Sequence, residues 1–224
     1  MMLTLLQDNL DYLLWGNLAQ GQPGGLLLTV GISLAAGVLA TLGGLAGGIA
    51  LTMGGPRLKR SLTLLVQVLR AIPVLMLIFW CYFLLPILFG IDIPGVLTVI
   101  AALALINAAY LSQSVLAGIE AIGKGQWLAG AALGMNRWQT LRYIILPPAL
   151  RHMLPSFVNQ WITLLKDSSL AYVVGVAEFT FVATQINNRE QVYPLQVFGI
   201  VAIAYLLLCS TLEWTGRRLA RAHP

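Results

Sequence analysis

Long stretches of this chain carry no charge, and short stretches between them collect nearly all of it. Residues 26–53, 71–91, 93–119 and 192–212 are uncharged and apolar, and each is long enough for the roughly 20 residues a helix needs to cross a bilayer. Residues 152–165 form a fifth apolar run, shorter and with Pro155 near its start. That run is predicted to enter the bilayer as a partial or tilted helix. Inside lipid the backbone must satisfy its own hydrogen bonds. The pattern therefore predicts an all-α, polytopic helical bundle with about five transmembrane helices.

One polar stretch, 124–155, breaks the pattern. It predicts two short helices at the membrane surface. The first covers 126–133 and stops at Gly134, a residue suited to a left-handed cap. The second starts at Asn136 as N-cap, with Gln139 three residues on as the partner in a capping box. Trp138, Leu141 and Ile145 are predicted on one face, with Arg137 and Arg142 off it. Leu146-Pro147-Pro148 is predicted to end the helix, because proline lacks the donor and restricts its predecessor.

Composition agrees with a lipid-embedded chain: 58% of residues are hydrophobic and 9% charged, against about a quarter charged in a soluble domain. Ten of the 13 basic residues fall on one side of the five-span topology: Arg57, Lys59, Arg60, Lys124, Arg137, Arg142, Arg151, Arg217, Arg218 and Arg221. That side is cytoplasmic by the positive-inside rule. The N-terminus is then outside, with Asp8, Asp11, Asp92 and Glu190, and the C-terminus is cytoplasmic. The net charge of +5 is thus a topology signal, not a sign of nucleic-acid binding. Cys81 and Cys209 lie inside apolar runs and suggest neither a disulfide framework nor a metal site.

The organisation expected is an extracytoplasmic segment 1–25, a transmembrane domain 26–216 with a cytoplasmic loop at 120–150, and a tail 217–224. Segment 1–25 lacks the basic start of a secretory signal, so no cleavage is expected. Its Tyr12 and Trp15 suit an interfacial belt, and 21–25 suits a turn. Residues 56–60 read as a short basic loop, 90–95 as an outer turn, and 187–194 as a solvated outer loop. Residues 172–184, with Glu178, make no convincing span.

Polar groups within apolar runs are the candidate functional residues. Gly43 with Gly47, and Gly44 with Gly48, have the small-xxx-small spacing that admits another helix closely, from this subunit or another. Arg70 either snorkels to the interface or lines an internal polar path. Asn107, Ser112, Gln113 and Ser114 are either interhelical glue or a passage wall. Lys166 and Asp167, followed by Ser168, are either a charge pair at a helix end or, the preferred reading, a turn buried in protein at membrane depth. Gly118 to Lys124 matches seven positions of a phosphate-binding loop, but Gly125 stands where Ser or Thr must reach magnesium. The motif also follows a membrane span, so nucleotide binding is rejected.

Ala129, Gly134, Ile144, Leu146 and Pro147 carry a resemblance. Their spacing is that of Glu-Ala-Ala, three residues, Gly, nine residues, Ile-x-Leu-Pro, and it resembles the cytoplasmic coupling loop of bacterial ABC-importer permeases. Leu128 stands in place of the glutamate and Gly130 in place of the second alanine. Lys166 to Leu170 is similar to that family's Lys-Asp-Thr-Ser-Leu signature, and Leu69 to Pro73 to its Phe-Arg-x-x-Pro element. Gln113 and Leu116 stand where a Glu-x-x-Arg often lies. The surrounding residues look like the polar amino-acid branch, most of all its glutamate/aspartate systems, with glutamine close behind.

The resemblance implies a type I ABC-importer permease fold and an inner-membrane location. It implies ATP-driven import of a polar amino acid, with docking to an ATPase through Leu128, Ala129, Gly130, Gly134, Ile144, Leu146 and Pro147. The partners implied are a dimer of ATP-binding subunits, a second permease subunit (identical or paralogous), an extracytoplasmic substrate-binding protein and membrane lipid, with no nucleic acid. Arg70, Asn107, Gln113, Lys166, Asp167 and Ser168 are the candidates for the substrate path. No cofactor is expected on this chain, since ATP and magnesium belong to the ATPase. No Ser/His/Asp set is present, and His152 and His223 sit near basic ends, so no catalytic residues are assigned. The alternatives are an ion-coupled secondary carrier and a non-transporting membrane scaffold subunit.

Overall fold

The computed structural model describes residues 2–18, 21–90, 93–190 and 194–221. It is built almost wholly of helices, with one two-residue antiparallel hairpin near the N-terminus, β1 (Gly16–Asn17) against β2 (Gln22–Pro23). The helices are α1 (Met2–Trp15), α2 (Gly25–Met53), α3 (Pro56–Ala71), α4 (Val74–Phe79), α5 (Leu85–Phe89), α6 (Gly95–Ala121), α7 (Lys124–Ala132), α8 (Arg137–Thr140), α9 (Leu146–Asp167), α10 (Phe179–Glu190) and α11 (Pro194–Arg221). Among the described residues, α2, α6 and α11 are each long and apolar enough to cross a membrane, and α3 with α4–α5 qualifies as a fourth only if the pair is one broken span. The 22-residue α9 covers the fifth predicted crossing but is not among the helices apolar enough to cross.

Several predicted loops are helices. The basic residues of 56–60 occupy the first turn of α3, where Pro56 starts the helix with its missing donor at no cost. Residues 187–190 belong to α10, and α11 runs past 217 to Arg221. Segment 1–25 holds α1, whose Leu13 is buried. Asp92 lies outside the described residues.

Leu146-Pro147-Pro148 does not end the surface helix, as the sequence reading expected. The chain widens into a π-turn at Leu141–Ile145, with the Leu146 N–H reaching back to the Leu141 carbonyl, and α9 follows directly. The prolines sit in the first turn of α9, and the wide turn absorbs their missing donors. The same device precedes Pro86: a π-turn at Trp80–Leu84, closed by the Leu85 N–H on the Trp80 carbonyl. Such turns relieve a helix at a point where regular bonding cannot be kept.

Contacts divide the chain into two units, each assembled from three segments: Met1–Gly37, Pro73–Leu103 and Ile162–Thr211 in the first, and Val38–Ile72, Ala104–Trp161 and Leu212–Pro224 in the second. The core of the first gathers Leu13, Phe179, Val182, Ala183, Ile186, Val197 and Val201. The core of the second gathers Val115, Ile119, Leu141, Ile145, Ala149 and Met153.

In the second unit the glycines of α2 face α6. A Cβ on Gly44 would lie 2.4 Å from the Leu111 Cβ, and one on Gly48 would lie 2.4 Å from the Val115 Cβ and 2.8 Å from the Ser112 carbonyl oxygen. Gly43 and Gly47 are nearly as tight, against Ala108 and Ser112. The glycine stripe is therefore a packing seam, and its partner is a helix of this same chain.

Candidate functional site

The 120–150 loop folds as a helical hairpin locked at both ends. α7 closes at Gly134, whose φ of 74° is the left-handed conformation that glycine adopts without strain. The Gly134 N–H donates to the Ala131 carbonyl and the Met135 N–H to the Gly130 carbonyl, both at 3.0 Å. Asn136 then caps α8: its Oδ1 accepts from the Gln139 N–H at 2.8 Å, and the Gln139 Oε1 accepts from the Asn136 N–H at 2.9 Å. This is the reciprocal pairing predicted from the sequence.

Gly130 joins the two helices. It is buried, and a Cβ there would lie 2.5 Å from the Thr140 Oγ1 and Cγ2. Thr140 is itself held by its bond to the Asn136 carbonyl. The glycine at this motif position thus has a local cause, the close approach of Thr140. Behind the hairpin, Leu141 and Ile145 enter the core of the second unit. Trp138, predicted on that same face, is instead 52% exposed. Arg137 stacks over the Trp127 ring at 5.8 Å.

The outward surface of the hairpin is apolar where a polar loop should not be. Leu128 is 71% exposed, Leu133 76% and Tyr143 66%. Ala129, Gly134 and Pro147 are exposed, while Ile144 and Leu146 are half-buried. Trp127, Leu128, Ala131, Met135 and Arg137 line a concavity of about 400 Å³.

The other six predicted site residues divide between the units. In the second, Asn107 is fully buried and its Oδ1 accepts from the Gln160 Nε2 at 2.5 Å. It is interhelical glue, reinforced by the Trp161 Nε1–H donating to the Thr41 Oγ1 at 3.0 Å. Gln113 lines an open concavity of about 410 Å³ with Ser114, Ala117, His152 and Ser156. Arg70 lies over the Tyr110 ring at 5.0 Å, and the Tyr110 hydroxyl donates to the Arg70 carbonyl. In the first unit, Lys166 is exposed, Asp167 half-buried and Ser168 buried. The Ser168 hydroxyl donates to the Leu165 carbonyl. The predicted irregular turn there is a 3₁₀-helix, Ser168–Val174, that continues α9. Serine hydroxyls bonding back to preceding carbonyls favour this tightening.

Sequence reasoning missed two features. Gln160 stands beside Asn159 within an apolar run and could have been paired with Asn107. The second is Glu178, fully buried in the first unit. Its carboxylate accepts from the N–H groups of Thr180 at 2.9 Å and Phe181 at 2.8 Å, and from the hydroxyls of Thr29 at 3.3 Å and Tyr205 at 3.4 Å. It lies in the short connection before α10, outside the apolar spans. Burial pushes its carboxyl up to about 7, against the pull of those hydrogen bonds.

A helical chain with membrane-length apolar helices, paired polar groups inside it and a rigid, apolar-faced hairpin in its basic loop defines a class, the multi-pass membrane proteins with a structured polar loop. Known proteins give the family. Residues 17–222 match the family described as the binding-protein-dependent transport system inner membrane component, and the chain belongs to it. It is 37% identical over 182 residues to the glutamine transport system permease protein of Escherichia coli K12, covering 80% of this chain and 81% of that one. It is 32% identical to the glutamate/aspartate import permease protein of Escherichia coli O6:H1, covering 92% and 98%.

Among solved structures, the chain is similar to an amino acid ABC transporter solved with histidines, at TM-score 0.81 and 29% identity over 88% of this chain and 92% of that one. The inward-facing MetNI methionine ABC transporter, at TM-score 0.74 and 22% identity, shares the fold. The chain is therefore a multi-pass inner-membrane permease subunit of an ATP-driven importer. ATP hydrolysis falls to a separate ATPase subunit, and substrate delivery to a binding protein.

Proposed function

We propose that this permease imports a polar amino acid, with glutamine and glutamate/aspartate as the first candidates, and that the α7–α8 hairpin is the handle by which the ATPase moves it. The exposed apolar surface of a hairpin locked by its capping box and by Gly130 carries this reading. A lever must be rigid internally and sticky externally, and this element is both. The alignment over nearly the whole length of the glutamate/aspartate permease supports the substrate class.

By the distribution of Lys and Arg, the hairpin and the C-terminus are cytoplasmic and the N-terminus is outside. ATP and magnesium then bind only to the ATPase. The concavity at Gln113, Ser114, His152 and Ser156 has a lining of mixed polarity, with Ala117 and Ala121 beside the polar groups. It faces a second permease subunit or the water-filled passage between the two. Arg70, Lys166 and Asp167 remain candidates for the substrate path, and Asn107 and Ser168 are buried.

The test is uptake into proteoliposomes holding the permease, its ATPase and its binding protein. Labelled glutamine or glutamate should enter only with ATP, and excess unlabelled substrate should compete. Uptake that follows an ion gradient without ATP would overturn the reading.

A further inference from the structure

The hairpin carries a mismatch between its centre and its surroundings. Leu128 is 71% exposed on α7, at the edge of the concavity formed with Trp127, Ala131 and Met135. Lys124, Arg137 and Arg142 are all exposed on the same hairpin and the turn that follows it. The one acid between 120 and 155 is Glu120. Glu120 lines the same concavity as Lys124 and Arg137, so the surface is an apolar centre within a rim of three cations and one carboxylate.

We propose that Leu128 determines which ATPase this permease accepts, by seating on a floor that is apolar and ringed by carboxylates. This rests on the docking role given above and adds the chemistry of the partner's surface. Docking strips water from Leu128. A guanidinium or ammonium in the floor would lose its hydration against a methyl group that offers no hydrogen bond, which is costly. Such a floor would also add like charge to the rim of Lys124, Arg137 and Arg142. An apolar floor gains from burying the leucine, and carboxylates around it pair with the rim. An ATPase whose groove holds a basic group for an acidic knob would be rejected by the same terms.

The test uses the intact complex, with the permease pulled from membranes and the retained ATPase measured at low and at high salt. Leu128→Glu should cut retention by about tenfold or more, and Leu128→Met should leave it within about twofold. Lys124→Glu should weaken retention several-fold at low salt, with the loss vanishing at high salt, as screening of a rim charge requires. Leu128 projects into solvent, so the amount of permease in the membrane should not change in any variant. Retention by Leu128→Glu that equals or exceeds the unaltered chain would overturn the apolar seat and leave the docking role standing. An unaltered permease that holds no ATPase would overturn both.

Discussion

Each of the two units is held together internally, and by opposite means. In the second, the seam between α2 and α6 is made by removing atoms: four glycines let the backbones approach until no Cβ fits at Gly44 or Gly48. In the first, the start of α2, the start of α10 and α11 are joined by adding a charge, the buried carboxylate of Glu178 with its four donors. In lipid the hydrophobic effect does not drive one apolar helix against another. Association must come from shape, as in the seam, or from polar groups that have no better partner, as in the knot. The seam fails abruptly when a side chain is added. The knot fails in proportion to the donors it loses.

The largest effect is expected in the seam. Gly48→Leu must displace a backbone carbonyl as well as Val115. Its cost should exceed the about 1–3 kcal/mol of ordinary overpacking. The purified permease should then melt far below the unaltered chain or fail to accumulate in the membrane. Normal melting would mean that α2 and α6 are not in contact along this stripe.

The knot should come next. Glu178→Ala strands the Thr180 and Phe181 N–H groups, at about 1–3 kcal/mol each. Glu178→Gln keeps one acceptor and removes the charge, so it should be milder at neutral pH. The two also differ from the native chain in pH dependence. The folded carboxyl titrates near 7, above its usual 4.5, so the folded state holds the extra proton between those values. Stability should therefore be greatest below about 4.5, fall as pH rises to about 7, and level off above it. Tyr205 on α11 is the titratable group that faces it. Melting curves from pH 5 to 8 should slope for the native chain and lose that slope in Glu178→Gln. A slope retained in the glutamine variant would place its source elsewhere.

The two means of association were unequally legible in the sequence. Glycines four apart announce a seam, because the spacing is itself the geometry. Asn136 and Gln139 announced the cap for the same reason, since a capping box spans three residues. Glu178 gave no such notice: Thr29 and Tyr205 are far from it in the chain, and only folding brings them to one carboxylate. Trp138 shows a smaller failure of the same kind. A regular helical period put it with Leu141 and Ile145, whereas in the fold that pair is buried and Trp138 is half exposed. Lys166 to Ser168 read as an irregular turn because charge next to serine resembles a loop, whereas the serine hydroxyls wind it into a 3₁₀-helix.

Asn107 and Gln160 sharpen the contrast, since they place a polar pair inside the unit that the glycines dominate. Asn107→Ala takes away the acceptor of the Gln160 amide, and Gln160→Ala takes away one bond to Asn107, at about 1–2 kcal/mol each. The double variant should cost less than the sum, because both single changes remove the same bond. Transport KM should be unaffected by Asn107→Ala if the pair is glue. A raised KM at normal stability would return Asn107 to the passage wall.

The smallest change in stability with a readable effect on function is expected at Gly134, which belongs to neither seam nor knot. A Cβ there meets nothing within 4 Å, so crowding plays no part in the cost of substitution. The cost comes from the backbone: at a φ of 74° a β-branched residue is strained by about 1–2 kcal/mol. Gly134→Val should open the cap of α7, leave the permease folded in the membrane, and separate ATP hydrolysis from uptake in proteoliposomes. Gly134→Asn, which tolerates the left-handed region, should keep most of the coupling. Asparagine and valine differ little in bulk at a site with no neighbours. A difference between these two variants would therefore report the angle of the hairpin and not its surface, whereas equal coupling in both would show that the lever needs no rigid stop at this residue.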